Sequence, residues 1–332
     1  MDRKQHINDC FQRGQQLTLA HEVYRACVAD LFRWMMHNDA AQEDVTTKLL
    51  KLDRHAKVVI HSRQAGVVAG IEETLFALDN HAVTGVTRHR EDGDAVAKNA
   101  PILSFTAPIN LVLSLERTLL NVIGRMSGIA TQTHRLARLA QQIPEGPQIA
   151  GTRKTPWMLL DKRAIYCGGG LTHRLSLADS ILIKDNHLVS LQHRIGNITT
   201  EQAIQSAVEL VVASSARQFE LEVESLPHAR AALSRFRELT APLSDRPMMI
   251  IMLDNLSLVE SQALIDEVRH SPLYDQVLFE ASGDITEEAL PGWLQTGVDV
   301  LSMGALTHSV KVFNVSMTMT EAMTESSLVH NG

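Results

Sequence analysis

The chain has 332 residues, of which 45% are hydrophobic, so it can bury a full core as one large domain or two of ordinary size. Its net charge of -7 argues against general nucleic-acid binding, because such proteins use a basic surface to displace counterions from phosphates. The polar start lacks the apolar stretch of a signal peptide, and no apolar run is long enough to span a membrane, so we expect a cytoplasmic protein. The three cysteines lie far apart, which disfavours a disulfide framework or a zinc site.

The N-terminal third has the pattern of a mixed α/β module. Apolar residues at helical spacing predict a helix over 17–36, with its apolar side at Leu19, Val23, Cys27, Leu31 and Met35. Further predicted elements are strands at 57–61 and 65–69, a helix over 71–78, and a turn followed by a strand over 91–105. A long helix over 110–141 then follows, with apolar residues along one side.

The rest of the chain alternates between strands and helices. The predicted strands are 148–153, 180–184, 219–224, 248–253, 277–281 and 298–303. Helical patterns lie between most of them, at 200–213, 226–239 and 256–269. This alternation predicts parallel strands with crossover helices. Two ambiguous positions, near Leu171 and Val310, allow a closed eight-stranded barrel, but an incomplete barrel fits the strand count better.

Polar residues follow the predicted strands where each strand ends. They are Lys184, Glu222, Asp254, Ser282 and Ser302. The active sites of α/β barrels are built at the carboxyl ends of the strands, so these residues predict a site there. One such residue alone would more often mark where a strand meets solvent, and Asp254 could instead cap a helix over 255–259.

A cationic segment interrupts the acidic chain. Between Gly151 and Arg194 lie seven Lys and Arg residues against three Asp residues, which suits a small anionic ligand. The glycines at 168–170 indicate either a flexible turn or a close approach of the backbone to a ligand or strand. His173 follows them, and a lone histidine is more often structural than a ligand.

Small residues after two strands, Ser282-Gly283 and Ser302-Met303-Gly304, suit either a phosphate cradle or ordinary turns. On the long helix, Arg117, Asn121 and Arg125 share one face, which indicates a solvated surface or a subunit interface.

The segments that carry these residues resemble the quinolinate phosphoribosyltransferase family. They are ERTLLN, GTRKT, CGGGLTHR, ILIKDNH, ELEVESL, IMLDN, EASG and GVDVLSMGALTHS, which stand in the family's order and approximate spacing over about residues 44–315.

The resemblance implies an α/β fold made of an N-terminal α/β sandwich and an incomplete, about seven-stranded α/β barrel. We place the sandwich, with an N-terminal helical extension, at residues 1–127 and the catalytic barrel at 128–332, with the chain's end returning to the first domain. It also implies a homodimer, or a larger assembly of such dimers, in which Arg117 enters the partner's site. The substrates are quinolinate and phosphoribosyl pyrophosphate, and Mg²⁺ is the implied cofactor, with no nucleic-acid or membrane partner.

The resemblance also implies the role of each site residue. The quinolinate-binding residues are Arg117, Arg153, His173, Arg174 and Lys184. The residues for phosphoribosyl pyrophosphate are Thr152, Lys154, Glu222, Asp254, Ser282, Gly283, Asp284, Ser302, Met303 and Gly304. Lys154, Lys184, Glu222 and Asp254 are the catalytic residues, and Glu222 and Asp254 are the Mg²⁺ ligands, directly or through water.

The chain departs from the family's pattern at several places. The segment RKTPWMLLDKRA is one residue shorter than the common form and lacks its glycine, and Asp284 replaces a small or amide residue. The segment HNDAAQEDVTT matches only in part, and the first twenty residues match nothing in the pattern.

Two alternative functions are a related pyridine or base phosphoribosyltransferase, including the molybdenum-transport-associated paralogue, and a catalytically silent phosphate-binding barrel.

Overall fold

The structure, a computed structural model, describes residues 2–51, 54–79 and 81–323. The helices are α1 (Arg3–Phe11), α2 (Glu22–Asn38), α3 (Val45–Leu50), α4 (Ile71–Leu78), α5 (Ile109–Ala140), α6 (Leu159–Cys167), α7 (Asp185–Ile195), α8 (Thr200–Val212), α9 (Leu226–Thr240), α10 (Leu258–Arg269), α11 (Leu290–Trp293) and α12 (Ala305–His308). The strands are β1 (His55–Ser62), β2 (Gly66–Val67), β3 (Thr84–Arg88), β4 (Ala95–Val96), β5 (Pro101–Pro108), β6 (Gln148–Gly151), β7 (Ile181–Ile183), β8 (Gln218–Val223), β9 (Met248–Asp254), β10 (Val277–Ser282), β11 (Val300–Met303) and β12 (Val315–Met323). Among the described helices, none is both long and apolar enough to cross a membrane.

The described residues form two compact units. Residues 2–13, 136–153 and 171–305 make up the parallel-sheet unit, and the remaining described residues make up the antiparallel-sheet unit. The two units interleave along the chain, and the predicted domain boundary after residue 127 stays a prediction.

The parallel-sheet unit contains all six strands predicted for the second part of the chain. In the described part of the unit the order is β6-β11-β10-β9-β8-β7, and helices connect most successive strands. Leu171 adds one further parallel bridge, to Ala150 of β6. The predicted fold class, with an incomplete α/β barrel, is therefore confirmed. The second ambiguous position, Val310, lies outside the strands that the structure describes.

Helix α1 packs into the core of this unit. Ile7, Cys10 and Phe11 belong to the same buried cluster as residues of the parallel strands, among them Ile250 and Leu278. This is a feature that the sequence analysis did not assign, because the first helix is short and mostly polar. Its three apolar side chains nevertheless bury together on one face.

Two arginines tie the ends of α1 to the same unit. Arg3 makes a forked ion pair with Asp299, with Nε and Nη2 lying 2.5 and 2.7 Å from the two carboxylate oxygens. Arg13 pairs with Asp179 at 3.1 Å, and its backbone N–H donates to the Thr172 hydroxyl at 2.8 Å. Forked arginine pairs are directional, so they fix the orientation of the helix as well as its position.

The antiparallel-sheet unit is built on the sheet β12-β1-β5-β3. The last described strand, β12, pairs antiparallel with β1, so residues 315–323 join a sheet whose other strands come from the N-terminal part. Helix α5 buries Leu115, Leu119, Val122 and Met126, as its helical spacing predicts.

Helix α2 shows where the prediction from spacing was wrong. It begins at Glu22 rather than near Leu17, and it buries Tyr24, Val28 and Phe32. The predicted apolar stripe is shifted by one position, and Val23 is 63% exposed. The size of the side chains does not decide the buried face, because Tyr24 and Phe32 are buried whereas Trp34 on the same helix is 60% exposed. Tertiary contacts select the face, among them the hydrogen bond from the Tyr24 hydroxyl to the buried Glu73.

Candidate active site

The polar residues predicted at the strand ends lie at the carboxyl end of the parallel sheet. Asp254 and Ser282 are paired across β9 and β10, and each is the last residue of its strand. Glu222 is opposite Met252 near the end of β8, and Lys184 follows β7 directly. Parallel strands bring their carboxyl ends to the same edge of a sheet, so one local pattern repeated along the chain produces one site.

Lys184 and Glu222 form an ion pair at this edge. The Nζ of Lys184 donates to Glu222 Oε2, and the Glu222 side chain is nearly buried. Burial raises the pKa of the Glu222 carboxyl, while the hydrogen bond from Lys184 opposes that rise. Lys184 also caps α7, where its backbone N–H donates to His187 Nδ1 at 2.9 Å.

Two arginines supply positive charge to the same unit. Arg153 is exposed, and Arg174 is partly buried, with Nη1 3.4 Å from the Ser180 carbonyl oxygen. Burial, and then the charge of Arg153, lower the pKa of Arg174. The charges of Glu220 and Asp179 oppose this lowering, but the repulsion between the two guanidinium groups favours an anion that would bind beside both.

His173 is buried in a cluster beneath these groups. Only 7% of the residue is exposed, and Nε2 lies 3.2 Å from Glu280 and 3.4 Å from Glu220. Nδ1 accepts the backbone N–H of Arg174 at 2.7 Å. Its ring meets the ring of Phe11 edge-on, at 5.3 Å between centroids.

The cluster binds a proton firmly. Burial by itself lowers the pKa of His173, but the charges of Glu280 and Glu220 outweigh it and raise the pKa to about 10. Burial and the charge of Glu280 raise the pKa of Glu220 to about 7. Because Nδ1 accepts the Arg174 amide, the ring itself carries one proton, on Nε2, and the further proton that these raised pKa values describe is held by the cluster as a whole, on the two carboxyl groups that face Nε2.

The predicted phosphate cradle consists of two strand-end loops. Gly283 has a φ of +95°, and a Cβ at this position would lie 2.2 Å from Asn255 Oδ1, so a larger residue does not fit there. Asp284 is exposed and has a φ of +41°. The next α-helix, α11, has Ala289 as its N-cap, so Asp284 does not cap it. The Ser302 side chain points inward, and its hydroxyl donates to Glu280.

The structure also decides between the two interpretations of Asp254. Helix α10 begins at Leu258, and its N-cap is Ser257, which forms a capping box with Glu260. The alternative that Asp254 caps this helix is therefore wrong. Asp254 is partly buried at the end of β9, and its Oδ2 accepts the Asn255 side-chain amide at 2.9 Å.

Lys154 and Arg117 belong to the antiparallel-sheet unit and are both exposed. The backbone carbonyl of Lys154 accepts the Thr307 hydroxyl at 2.7 Å. Within this unit Asp161 is fully buried and accepts hydrogen bonds from Arg125 at 2.8 and 2.7 Å and from the Thr155 hydroxyl. The shortened segment after Lys154 is thus anchored on Asp161, and Arg125 serves this ion pair rather than a solvated face.

The three glycines form the end of helix α6 in the antiparallel-sheet unit. Gly168 is the C-cap, and a Cβ there would lie 2.5 Å from the Ala130 carbonyl oxygen of α5. Gly169 has a φ of +83°. The turn that the sequence analysis gave as one interpretation is therefore present, and the close approach given as the other is to a helix and not to a ligand or a strand.

Sequence reasoning missed Glu280 and gave Glu220 no role. Both are buried completely or almost so, at 0% and 2% exposure, and both point toward His173. A signal was present, because Glu220 is two residues before Glu222 and Glu280 is two residues before Ser282. Residues two apart on a strand share a face, so each glutamate lies one layer below a predicted site residue.

Comparison with known proteins gives a consistent result over nearly the whole chain. Residues 44–127 match the family model described as quinolinate phosphoribosyl transferase, N-terminal domain, and residues 129–318 match the C-terminal domain. A probable nicotinate-nucleotide pyrophosphorylase [carboxylating] of Methanothermobacter thermautotrophicus is 35% identical over 87% of this chain and 97% of its own length. The nicotinate-nucleotide pyrophosphorylase [carboxylating] of Mycobacterium leprae is 35% identical over 77% of this chain and 83% of its own length. The solved structure of the nicotinate-nucleotide pyrophosphorylase from Francisella tularensis has a TM-score of 0.73 at 28% identity, and covers 89% of this chain and 96% of that one.

Proposed function

The chain belongs to the quinolinate phosphoribosyltransferase family, and on that premise we propose how its strand-end residues carry out the reaction. The enzyme is a decarboxylating quinolinate phosphoribosyltransferase, a pentosyltransferase of de novo NAD biosynthesis. It joins quinolinate to phosphoribosyl pyrophosphate and yields nicotinate mononucleotide, carbon dioxide and pyrophosphate.

The observation that carries the assignment of roles is the gathering of cations and carboxylates at one edge of the parallel sheet. Arg153, Arg174 and Lys184 supply positive charge there, beside Glu222 and Asp254. Quinolinate carries two carboxylates, and guanidinium groups bind carboxylates through paired hydrogen bonds. We propose that these cations hold quinolinate, and that Arg117 of the partner subunit completes the cage in a homodimer.

Glu222 and Asp254 are suited to the ribose and pyrophosphate side. Both offer carboxylate oxygens, which are the hard ligands that Mg²⁺ prefers, so the residues present fit the implied ion. When bound, Mg²⁺ neutralises charge on the departing pyrophosphate. Lys184 holds the Glu222 carboxylate in place and limits the repulsion between the two acids.

The loops at Ser282-Gly283 and Ser302-Met303-Gly304 are proposed to hold the 5′-phosphate. Backbone N–H groups exposed by small residues bind phosphate well, and Gly283 already requires a conformation that other residues disfavour. We propose that Thr152 and Lys154 complete the phosphoribosyl pyrophosphate site, with Lys154 near the leaving pyrophosphate. We propose that Asp284, which is exposed next to Gly283, also contacts phosphoribosyl pyrophosphate.

The chemistry then needs two replacements, one at C1 of the ribose and one at C2 of the pyridine ring. The C1–oxygen bond to pyrophosphate breaks, and the pyridine nitrogen of quinolinate bonds to that carbon, which carries developing positive charge. The C2–carboxylate bond then breaks with loss of carbon dioxide, the electron pair stays on C2 where the adjacent positive nitrogen stabilises it, and this pair takes up a proton. The cations around the carboxylates act by orienting the ring nitrogen toward C1. We expect this reaction to take place in the cytoplasm.

Release of labelled carbon dioxide from 2-carboxyl-labelled quinolinate tests the function. Release that requires phosphoribosyl pyrophosphate supports it, whereas consumption of nicotinate without decarboxylation would assign the chain to a neighbouring activity. Lys184→Ala and Arg153→Ala are each expected to lose most activity while they remain folded. Near-normal turnover in either variant would contradict the proposed cage.

A further inference from the structure

A continuous chain of buried polar groups runs from Ser302 to Arg174 within the parallel-sheet unit. The Ser302 hydroxyl donates to Oε1 of Glu280, and Oε2 of Glu280 lies 3.2 Å from His173 Nε2. His173 Nδ1 then accepts the backbone N–H of Arg174 at 2.7 Å. Glu280 is 0% exposed and Ser302 is 4% exposed, so water does not screen or replace these contacts.

The hydrogen bond at Nδ1 fixes the role of the imidazole. A ring nitrogen that accepts an N–H carries a lone pair, so the ring proton is on Nε2, where it faces Glu280 and Glu220. A protonated Nε2 cannot bind a metal ion, which argues against a metal among these three side chains. Their arrangement suits hydrogen bonding instead.

The backbone of His173 shows that this arrangement is maintained at a cost. Its φ is +55°, in the left-handed region, which costs on the order of 1 kcal/mol for a residue other than glycine. The ring is held by Phe11 from one side and by the two carboxyl groups at Nε2. A buried imidazole in these contacts has no ring nitrogen left for a substrate.

We propose that Glu280 is a positioning residue that links the phosphate cradle to the carboxylate cage, and that His173 acts on quinolinate through the placement of Arg174 rather than by contact. This inference rests on the proposed function. Glu280 orients Ser302 near the end of β11, and through His173 it orients the backbone of Arg174. The Ser302 hydroxyl proton is used by Glu280, so Ser302 acts on the phosphate by fixing the end of β11, which Gly304 follows.

The proposal predicts that one buried side chain controls the binding of both substrates. Removing its carboxylate releases Ser302 at one end and His173 at the other. The KM values for phosphoribosyl pyrophosphate and for quinolinate therefore both rise, while kcat changes much less. A purely structural role would lower the active fraction, and thus kcat, without raising either KM.

The test compares Glu280→Leu with the conservative variant Glu280→Gln in the labelled-carbon-dioxide assay. Leucine removes the hydrogen bond to Ser302 and the 3.2 Å ion-pair contact with His173, and we expect each KM to rise about tenfold or more. Glutamine can accept from His173 and donate to Ser302, so we expect both KM values to return to within about threefold of the wild type. Glu224→Gln is the matched control, because Glu224 is exposed and next to the end of β8.

Ser302→Ala is a second variant, which removes only the hydrogen bond between Ser302 and Glu280 and leaves the contacts of His173 in place. It is expected to raise the KM for phosphoribosyl pyrophosphate about fivefold and to leave the KM for quinolinate within about twofold. Unchanged KM values in Glu280→Leu, or equal rises of both KM values in Ser302→Ala, would overturn the inference. A wild-type protein that releases no carbon dioxide with both substrates would overturn the proposed function, and the inference with it.

Discussion

Replacing Phe11 by alanine tests whether α1 is part of the core beneath the candidate site. Phe11 is 1% exposed, belongs to the cluster with Ile250 and Leu278, and contacts the ring of His173 edge-on. Burying a phenylalanine side chain contributes about 1.5–3 kcal/mol, and the cavity left by truncation adds to the loss. We therefore expect Phe11→Ala to lower the free energy of unfolding by about 3–5 kcal/mol.

Urea unfolding followed by circular dichroism measures this change, and thermal unfolding gives an independent value. A loss of this size corresponds to a fall in Tm of roughly 6–20 °C for a unit of 150–250 residues. Trp34→Ala is the control, because it also truncates an aromatic side chain on a helix but one that is 60% exposed, and it should change stability by less than about 0.5 kcal/mol. If Phe11→Ala were as stable as Trp34→Ala, α1 would not be part of the core and the argument would fail.

Three further predictions concern charge, backbone and thiols. Burial raises the pKa of Glu73 to about 7, so the folded protein holds a proton that the unfolded chain releases above about pH 4.5. This group alone should lower stability between these pH values by an amount on the order of 3 kcal/mol, and Glu220 adds a fall of the same sign. Urea unfolding at pH 5 and pH 8 should therefore show a smaller fall in Glu73→Gln and an unchanged fall in the exposed Glu22→Gln. Gly283→Ala should raise the KM for phosphoribosyl pyrophosphate about tenfold, because its Cβ would meet Asn255, and an unchanged KM would remove this loop from the cradle. Burial raises the pKa of all three cysteine thiols, so a thiol reagent at pH 8 should react at least about tenfold faster with the unfolded chain, and three fast native thiols would contradict this.

Local patterns predicted the architecture well where one physical effect dominates. The strands of the parallel sheet are either continuous apolar runs, as in β9, or alternate with period two, as in β8, so all six were found from the sequence. The buried side of α5 followed from its spacing, because that helix is long and strongly periodic. On α2 the same reasoning failed by one position, because the buried face is selected by tertiary contacts such as that of Tyr24 with Glu73, which spacing along the helix does not show.

The spacing of residue types along the sequence could not predict contacts between distant parts of the chain. The role of α1 depends on residues of the parallel strands more than 130 positions away, and a short polar helix gives no sign of them. Asp161 likewise anchors Arg125 and Thr155, which the sequence shows only as separate charged or polar residues.

The sequence by itself determined the fold class and the residues delivered to one edge of the parallel sheet, because strand alternation and strand ends are local features. Only the tertiary structure decided what those residues do to one another. It paired Lys184 with Glu222, placed Asp254 outside the helix cap, and turned Ser302 and His173 inward onto Glu280. The physical reason is that buried polar groups must find hydrogen-bond partners, and those partners come from neighbouring strands, whose identity is fixed only when the sheet has formed.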